Sequence, residues 1–423
     1  MDGESRGDEC GPGDAAVIVP TARVGDLAEQ VRGVTYGKED ASRTPTAGCL
    51  PVLRAGNITD NGLIFDDLIY VPAAKVSAKQ KIKLGDIVIA ASSGSLDVVG
   101  KAAPALAAFD GGFGAFCKVI RPNDKVDAGY LAQFFKTPSY RRTISSLAAG
   151  ANINNLKSEH LDDLLLPLPP LPEQRRIAAI LDQADALRAK RREALAQLDN
   201  LTQSIFIEMF GDPRENDRGW SKASIGSLVS DMRGGASLEP DDFIETGFPV
   251  LHKGAIKPNG GLAFDPKKRP FTAVEYAAAR PQNRINRDFI AVTLRDLVPS
   301  GPSIGLAADL RFGPFDEYLL AQGAYGFRVA SERLTEAFLV QLSNMPTFRL
   351  VLRQNAVGST QIHIRTPIYL AIEIPVPPMG LQQTFATRVQ AVEALKTTHR
   401  AALTELDALF ASLQHRAFSG QLS

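Results

Sequence analysis

Leu164-Leu-Leu-Pro-Leu-Pro-Pro-Leu-Pro172 runs directly into Glu173-Gln-Arg-Arg-Ile177, and from there to Phe210 the chain contains neither Gly nor Pro. The first nine residues read as a strand entering a proline stop that cannot be helical. The stretch from Leu171 to Phe210 reads as one helix of about 40 residues, roughly 60 Å at 1.5 Å per residue. Pro172 sits in its first turn, where a helix tolerates proline. Stepping by four and three gives Ile177, Leu181, Ala184, Arg188, Arg191, Leu195, Leu198, Thr202, Ile205 and Met209, an apolar seam of heptad type with a basic notch in its middle.

The same pattern returns near the C-terminus. Its seam is Phe385, Val389, Val392, Lys396, His399, Leu403, Leu406, Phe410, Leu413 and Ala417, basic at the same two places. A shift of 208 residues carries one helix onto the other, laying Pro167-Leu-Pro-Pro170 on Pro375-Val-Pro-Pro378, Gln174 on Gln382, and Asp199 on Asp407. It extends upstream, where Tyr130-Leu-Ala-Gln-Phe-Phe-Lys-Thr-Pro138-Ser-Tyr-Arg141 lies over Phe338-Leu-Val-Gln-Leu-Ser-Asn-Met-Pro346-Thr-Phe-Arg349. Near Pro51-Val-Leu-Arg-Ala-Gly56 and Pro249-Val-Leu-His-Lys-Gly254 the shift is 198, so the halves differ there by insertions. A period this long is a duplicated domain, far beyond a solenoid repeat.

Each half therefore reads as a globular part followed by a long helix. The globular parts carry short β-rich runs, Leu84-Gly-Asp-Ile-Val-Ile-Ala90 and Phe289-Ile-Ala-Val-Thr-Leu294, set among turn residues, with a helix expected at Tyr130 to Leu147 and another at Glu332 to Gln354. Each seam could pack on its own globular part. The length of the helices favours a mutual pair, because an isolated amphipathic helix of that size has no reason to persist in water. The expected fold is α+β: two duplicated heads joined by two long helices in an antiparallel coiled coil with pseudo-twofold symmetry. The division is 1–15 as a disordered N-terminus, 16–160 as the first head, 161–212 as the first long helix region, 213–366 as the second head and 367–423 as the second long helix region. The interface is assigned to Ile177, Leu181, Ala184, Leu195, Leu198, Ile205 and Met209 against Phe385, Val389, Val392, Leu403, Leu406, Phe410 and Leu413.

Composition sets the outer bounds. The 423 residues suffice for two or three domains, and 44% apolar with 22% charged residues is ordinary globular usage. No run approaches the roughly 20 apolar residues a membrane helix needs, and Met1 to Asp14 is acidic and Gly-rich, unlike a secretion signal. A cytoplasmic protein with no membrane partner is expected. The three cysteines are too few and too scattered for a disulfide framework. Net charge is zero, yet residues 16–160 hold 17 Lys and Arg against 13 Asp and Glu, and residues 213–366 hold 19 against 16. Both heads are mildly basic.

Catalytic patterns are missing. Gly94-Ser-Leu-Asp-Val-Val-Gly100-Lys101-Ala102 has five residues between its glycines rather than the four of a phosphate loop, and Ala102 where a Ser or Thr would hold magnesium. The five histidines fall singly, with no metal-ligand spacing, so no metal site is assigned. The residues read as a binding protein, and a coiled-coil scaffold whose two heads bind protein is one reading they leave open.

One family combines these features. Leu166-Pro-Leu-Pro-Pro-Leu-Pro-Glu-Gln-Arg-Arg-Ile177, the preceding Gly150-Ala-Asn-Ile-Asn-Asn-Leu156, the Leu84-Gly-Asp-Ile-Val88 strand with its Ser-Ser-Gly loop, and Met209-Phe-Gly211 resemble the DNA specificity subunit of type I restriction-modification systems. The second half departs at Met379-Gly-Leu-Gln-Gln383, where Leu-Pro-Glu-Gln-Arg would stand, and at Arg287-Asp-Phe-Ile290 in place of Gly-Asp-Ile-Val. The resemblance implies two target-recognition domains, each reading half of an asymmetric bipartite double-stranded DNA target. It implies no catalysis by this chain. The partners it implies are two modification subunits, which use S-adenosylmethionine to methylate adenine, and often restriction subunits that translocate DNA with ATP and magnesium.

Base edges are read mainly by Arg or Lys at guanine and Asn or Gln at adenine. Polar loop residues are accordingly the DNA-contact candidates. In the first head these are Arg54, Asn57, Ser92, Ser93, Ser95, Lys101, Asn152 and Asn154. In the second head they are His252, Lys253, Ser300, Ser303, Thr360, Gln361 and His363. Lys267-Lys-Arg269 is a basic cluster suited to phosphate.

Overall fold

The computed structural model describes residues 19–148, 154–265, 269–419 and 421. The stretch 1–15, Asn152, and Lys267 and Lys268 lie outside the described residues. The chain divides into two compact units, Met1–Arg192 with Ala401–Ser423, and Glu193–Arg400. Each unit holds one head and half of each long helix.

The first head is built on an antiparallel four-stranded sheet in the order Ala28–Arg32, Cys117–Pro122, Ile87–Ala90, Ala102–Pro104. Its third strand is buried at every position, and strand alternation divides those positions between two cores. Ile87 and Ile89 face the helices, whereas Val88 and Ala90 face a second layer of loops and short strands. A three-stranded sheet of Gly112–Phe113, Cys49–Leu53 and Ile69–Pro72 lies in that layer. Thr21–Arg23 pairs with Leu165–Pro167, so the head is clasped shut just before the long helix starts. The second head repeats the plan with Val229–Gly234, Ala324–Val329, Ile290–Thr293 and Ala307–Asp309, and with the clasp Lys222–Ser224 on Glu373–Pro375. At Gly33 the backbone passes so close to its neighbour that an added Cβ would lie 2.0 Å from the Gly114 carbonyl oxygen. Gly235 meets the Ala321 carbonyl in the same way.

The long helices are Leu171–Phe210 and Met379–Phe418, of 40 residues each. In the first unit, Arg188 donates to Asp407 at 2.6 Å and lays its guanidinium 4.2 Å over the Phe410 ring, while Phe418 packs on Tyr130 and Phe134. In the second unit, Lys396 lies 2.9 Å from Asp199, and Phe385 meets Phe206 and Phe210. Positions rise along one helix as they fall along the other, so the halves run antiparallel. Ile177, Leu181 and Ala184 join a core shared with Phe410, Leu413 and their own head, and Ile205 and Met209 join one shared with Phe385 and Val389. Val392 is buried, whereas Leu195, Leu198, Leu403 and Leu406 are half-buried. The seam thus serves the head and the opposite helix together. Each fully buried Leu or Ile contributes about 1.5–3 kcal/mol.

Two expected helices are each divided. Ala128–Phe134 and Pro138–Ala148 replace one helix at Tyr130 to Leu147, and Glu336–Asn344 and Pro346–Gln354 replace its counterpart. The repeated Pro138 and Pro346 are first-turn residues. Proline lacks the N–H and clashes with the preceding turn inside a helix, so each starts a new one.

Candidate nucleic-acid interface

The repeated polar residues build the frame. Gln174 and Gln382 are buried at the start of the long helices. Gln174 accepts from the Asp127 N–H at 2.7 Å and donates to the Pro169 carbonyl at 2.8 Å; Gln382 accepts from the Thr335 N–H at 2.9 Å and donates to the Pro377 carbonyl at 2.8 Å. Asp127 and Thr335 cap the helices that begin just after them. One buried amide therefore locks helix start to helix start in each head. Arg141 and Arg349 form the second device. Arg141 donates to the carbonyls of Val99 and Asp97, and Arg349 to those of Ile304 and Pro302. Each arginine thereby fixes the loop that leaves the central strand.

At the start of that loop each head forms a two-stranded ribbon. In the first head Ser92–Ser93 pairs with Asn154–Asn155, and the Ser95 N–H donates to the Ser93 hydroxyl. In the second, Arg295–Asp296 pairs with Ile362–His363. The structure thus brings Ser92, Ser93, Ser95 and the Asn154 backbone together in one head, and Gln361 and His363 in the other. Arg295 was not among the residues expected from sequence. It donates to the Gln361 side chain at 2.6 Å and occupies the place of Ser92, at a shift of 203 that lies between the two repeat shifts.

A concavity of about 730 Å³ opens beside the first ribbon, walled by Tyr36, Arg54, Ser92, Ser93, Gly94 and Phe116 among others. Burial raises the Tyr36 hydroxyl above its ordinary value against the pull of Arg54, so it remains a neutral phenol. Arg54 is itself held by the Asp67 carbonyl at 2.6 Å and by the Asp67 carboxylate. Lys101 pairs with Asp60 at 3.1 Å.

Four expected contacts are engaged elsewhere. Asn57 is 3% exposed; it accepts from the Arg54 N–H and donates to the Asp66 carbonyl, both at 2.8 Å, so its amide is spent on shaping the turn. Ser303 donates its N–H and hydroxyl to Asp296, and Lys253 lies 3.5 Å from the same carboxylate. Burial alone would raise Asp296. The Ser303 hydroxyl and N–H, Lys253 and the Leu297 N–H outweigh it and hold the carboxyl below its ordinary value. His252 turns its Nδ1 back to accept from the Gly254 N–H at 3.1 Å. Ser300 and Thr360 are exposed beside the second ribbon's segments. Among the described residues, no group of three His, Cys, Asp or Glu is placed to hold a metal ion, and no helix is long and apolar enough to cross a membrane.

Comparison with known proteins agrees with this geometry. The sequence profile of the family described as "Type I restriction modification DNA specificity domain" matches twice, at residues 19–198 and 217–407. The StySPI type I restriction enzyme specificity subunit of Salmonella potsdam is 30% identical over 95% of this chain and 89% of its own length. The EcoKI specificity subunit of Escherichia coli (strain K12) is 37% identical over 57% of this chain and 54% of its own. Among solved structures, the S subunit of a type I restriction-modification system from M. genitalium shares the fold, with a TM-score of 0.53 at 16% identity over 94% of this chain and 96% of that one.

Proposed function

This chain belongs to the family of type I restriction-modification DNA specificity subunits, and from that premise we propose that its two heads read the two different halves of an asymmetric, gapped double-stranded DNA target. The observation that carries this reading is the pair of ribbons. They occupy equivalent places on one duplicated frame, yet one presents Ser92 and Ser93, whereas the other presents Arg295 and turns Asp296 inward onto Ser303. Identical half-sites would call for identical readers. The frame residues repeat their bonds, while the exposed residues differ.

The chain recruits two modification subunits, with restriction subunits added in the full complex, and acts in the cytoplasm. It holds no cofactor of its own; S-adenosylmethionine, ATP and magnesium belong to the partner subunits. A protein that neutralised many phosphates alone would be more basic than these heads, so the partner subunits supply much of the positive surface. The isolated chain then binds DNA weakly at physiological salt. The first experiment is methylation sequencing of the source genome with and without this gene. Loss of one asymmetric, gapped adenine-methylated motif on deletion supports the reading. An unchanged methylome refutes it and favours a protein-binding scaffold. In the assembled complex, Gln361→Ala changes base preference without changing assembly.

A further inference from the structure

We infer that the ring of Phe116 is a base-reading contact of the first head and takes the 5-methyl group of a thymine in that head's half-site. The inference rests on the reading of the heads as DNA readers. Phe116 is 66% exposed, although its neighbours Phe113 and Cys117 are 0% and 1% exposed. Its exposure does not come from a loose loop. The Cys117 N–H closes the turn onto the Gly114 carbonyl at 2.8 Å, and the Phe116 carbonyl accepts from the N–H groups of Ala91 and Ser92 at 2.8 and 3.1 Å. The turn is thereby bonded to the first residue of the ribbon, and the ring becomes one wall of the concavity that also presents Arg54, Ser92 and Ser93.

The second head shows what this position is for. Strand pairing sets Cys117 opposite Ala90 and Ala324 opposite Thr293, so Gly323 stands where Phe116 does. Its carbonyl accepts the equivalent bond from the Leu294 N–H at 3.2 Å. Gly323 has φ +94°, and a Cβ built there would lie 3.3 Å from the Arg295 Cβ. The second head thus leaves this spot to the Arg295–Gln361 pair, whereas the first fills it with an aromatic ring and keeps Ser92 beside it. A guanidinium suits acceptor atoms such as guanine O6 and N7. A phenyl ring offers no hydrogen bond, and the one apolar group on a base edge in the major groove is the thymine methyl. A ring used as an intercalating wedge would stand at a convex tip; this one lines a hollow shared with polar side chains.

The test uses the assembled methyltransferase complex and the duplex target identified by methylation sequencing. Each thymine of both half-sites is replaced in turn by uracil, which lacks only the methyl group. The half-site whose base preference shifts in Arg295→Ala is assigned to the second head. In the other half-site, one thymine-to-uracil change is expected to lower methylation kcat/KM about fourfold, the value of one buried methyl-sized group. Phe116→Ala is expected to lose about the same factor on the natural target and to be indifferent to that uracil, with an unchanged urea unfolding midpoint because the ring is exposed. A first half-site without thymine overturns the inference, as does a uracil penalty undiminished in Phe116→Ala. A rise in 2-aminopurine fluorescence across one step, lost in Phe116→Ala, would make the ring a wedge and overturn it too. If the wild-type complex methylates no gapped sequence, the DNA reading itself falls.

Discussion

Lys396→Met should be nearly harmless, while removing the two carboxylates that face Lys396 should be costly. The Lys396 side chain is 2% exposed, with its ammonium 2.7 Å from Glu393 and 2.9 Å from Asp199 on the opposite helix. The acids are 22% and 32% exposed. This asymmetry decides the outcome. Taking away the lysine leaves two carboxylates that can turn to water, and methionine fills the vacated space with apolar atoms, so the change should stay within about 1 kcal/mol of wild type. Taking away both acids strands an ammonium in the seam, at about 3–5 kcal/mol. Asp199→Ala alone leaves Glu393 in place and should cost about 1–2 kcal/mol, the attraction being partly screened at these exposures. The assay is urea unfolding followed by Trp220, the sole tryptophan, whose indole N–H donates to the Phe210 carbonyl at the end of the first long helix. If Lys396→Met destabilises this unit as much as the double alanine variant does, the reasoning from rehydration is wrong.

Gln174→Ala and Gln382→Ala should each cost about 1–3 kcal/mol in unfolding free energy, since each strands a buried N–H and a buried carbonyl; a change within 0.5 kcal/mol of wild type, on the order of an ordinary surface substitution, would contradict the locking role. Gly33→Ala and Gly235→Ala should yield little soluble protein, because the new Cβ would lie 2.0 Å from a carbonyl oxygen in each case, and recovery of either variant with a wild-type melting profile would show that the strands can part. Asp296 is held below its ordinary value, so its ionised form stabilises the second head above pH ~4, and that contribution is lost as pH falls through the lowered folded value. Wild type should accordingly lose its advantage over Asp296→Asn on acidification below about pH 4, and a parallel pH dependence in thermal unfolding would show that Asp296 has no part in it.

The frame was legible because it is written twice. The shift of 208 residues that pairs Gln174 with Gln382, Arg141 with Arg349 and Asp199 with Asp407 proved to pair their bonds as well. The basic notch in each seam is an ion-pair lock: Arg188 on Asp407 in one unit, Lys396 on Asp199 in the other. The ribbons were less legible, for a physical reason. Asn and Ser form turns and read bases with the same atoms, so type alone could not separate Asn57, whose amide is consumed by its own turn, from Ser92, which lines the concavity. Arg295 was hidden because the halves are out of register by five residues just there. Aligning Ile87–Ala90 with Ile290–Thr293 would have exposed it.

The same division explains how one frame can serve two different readers. The side chains that hold each head together, Gln174 and Arg141 with their counterparts Gln382 and Arg349, and Tyr140 in the first head, are buried or half-buried and bonded to backbone groups. Changing them strands a donor or an acceptor. Ser92 and Ser93 in one head and Arg295 and Gln361 in the other are half-buried or exposed, and substitutions near the surface usually cost within about 0.5 kcal/mol. Phe116 and Gly323 show how far this goes: the carbonyl of each accepts the bond that anchors the ribbon, and the side chain takes no part in it. At such a position the backbone carries the structural role and leaves the side chain to recognition, so a ring in one head and bare backbone beside an arginine in the other are compatible with a single fold.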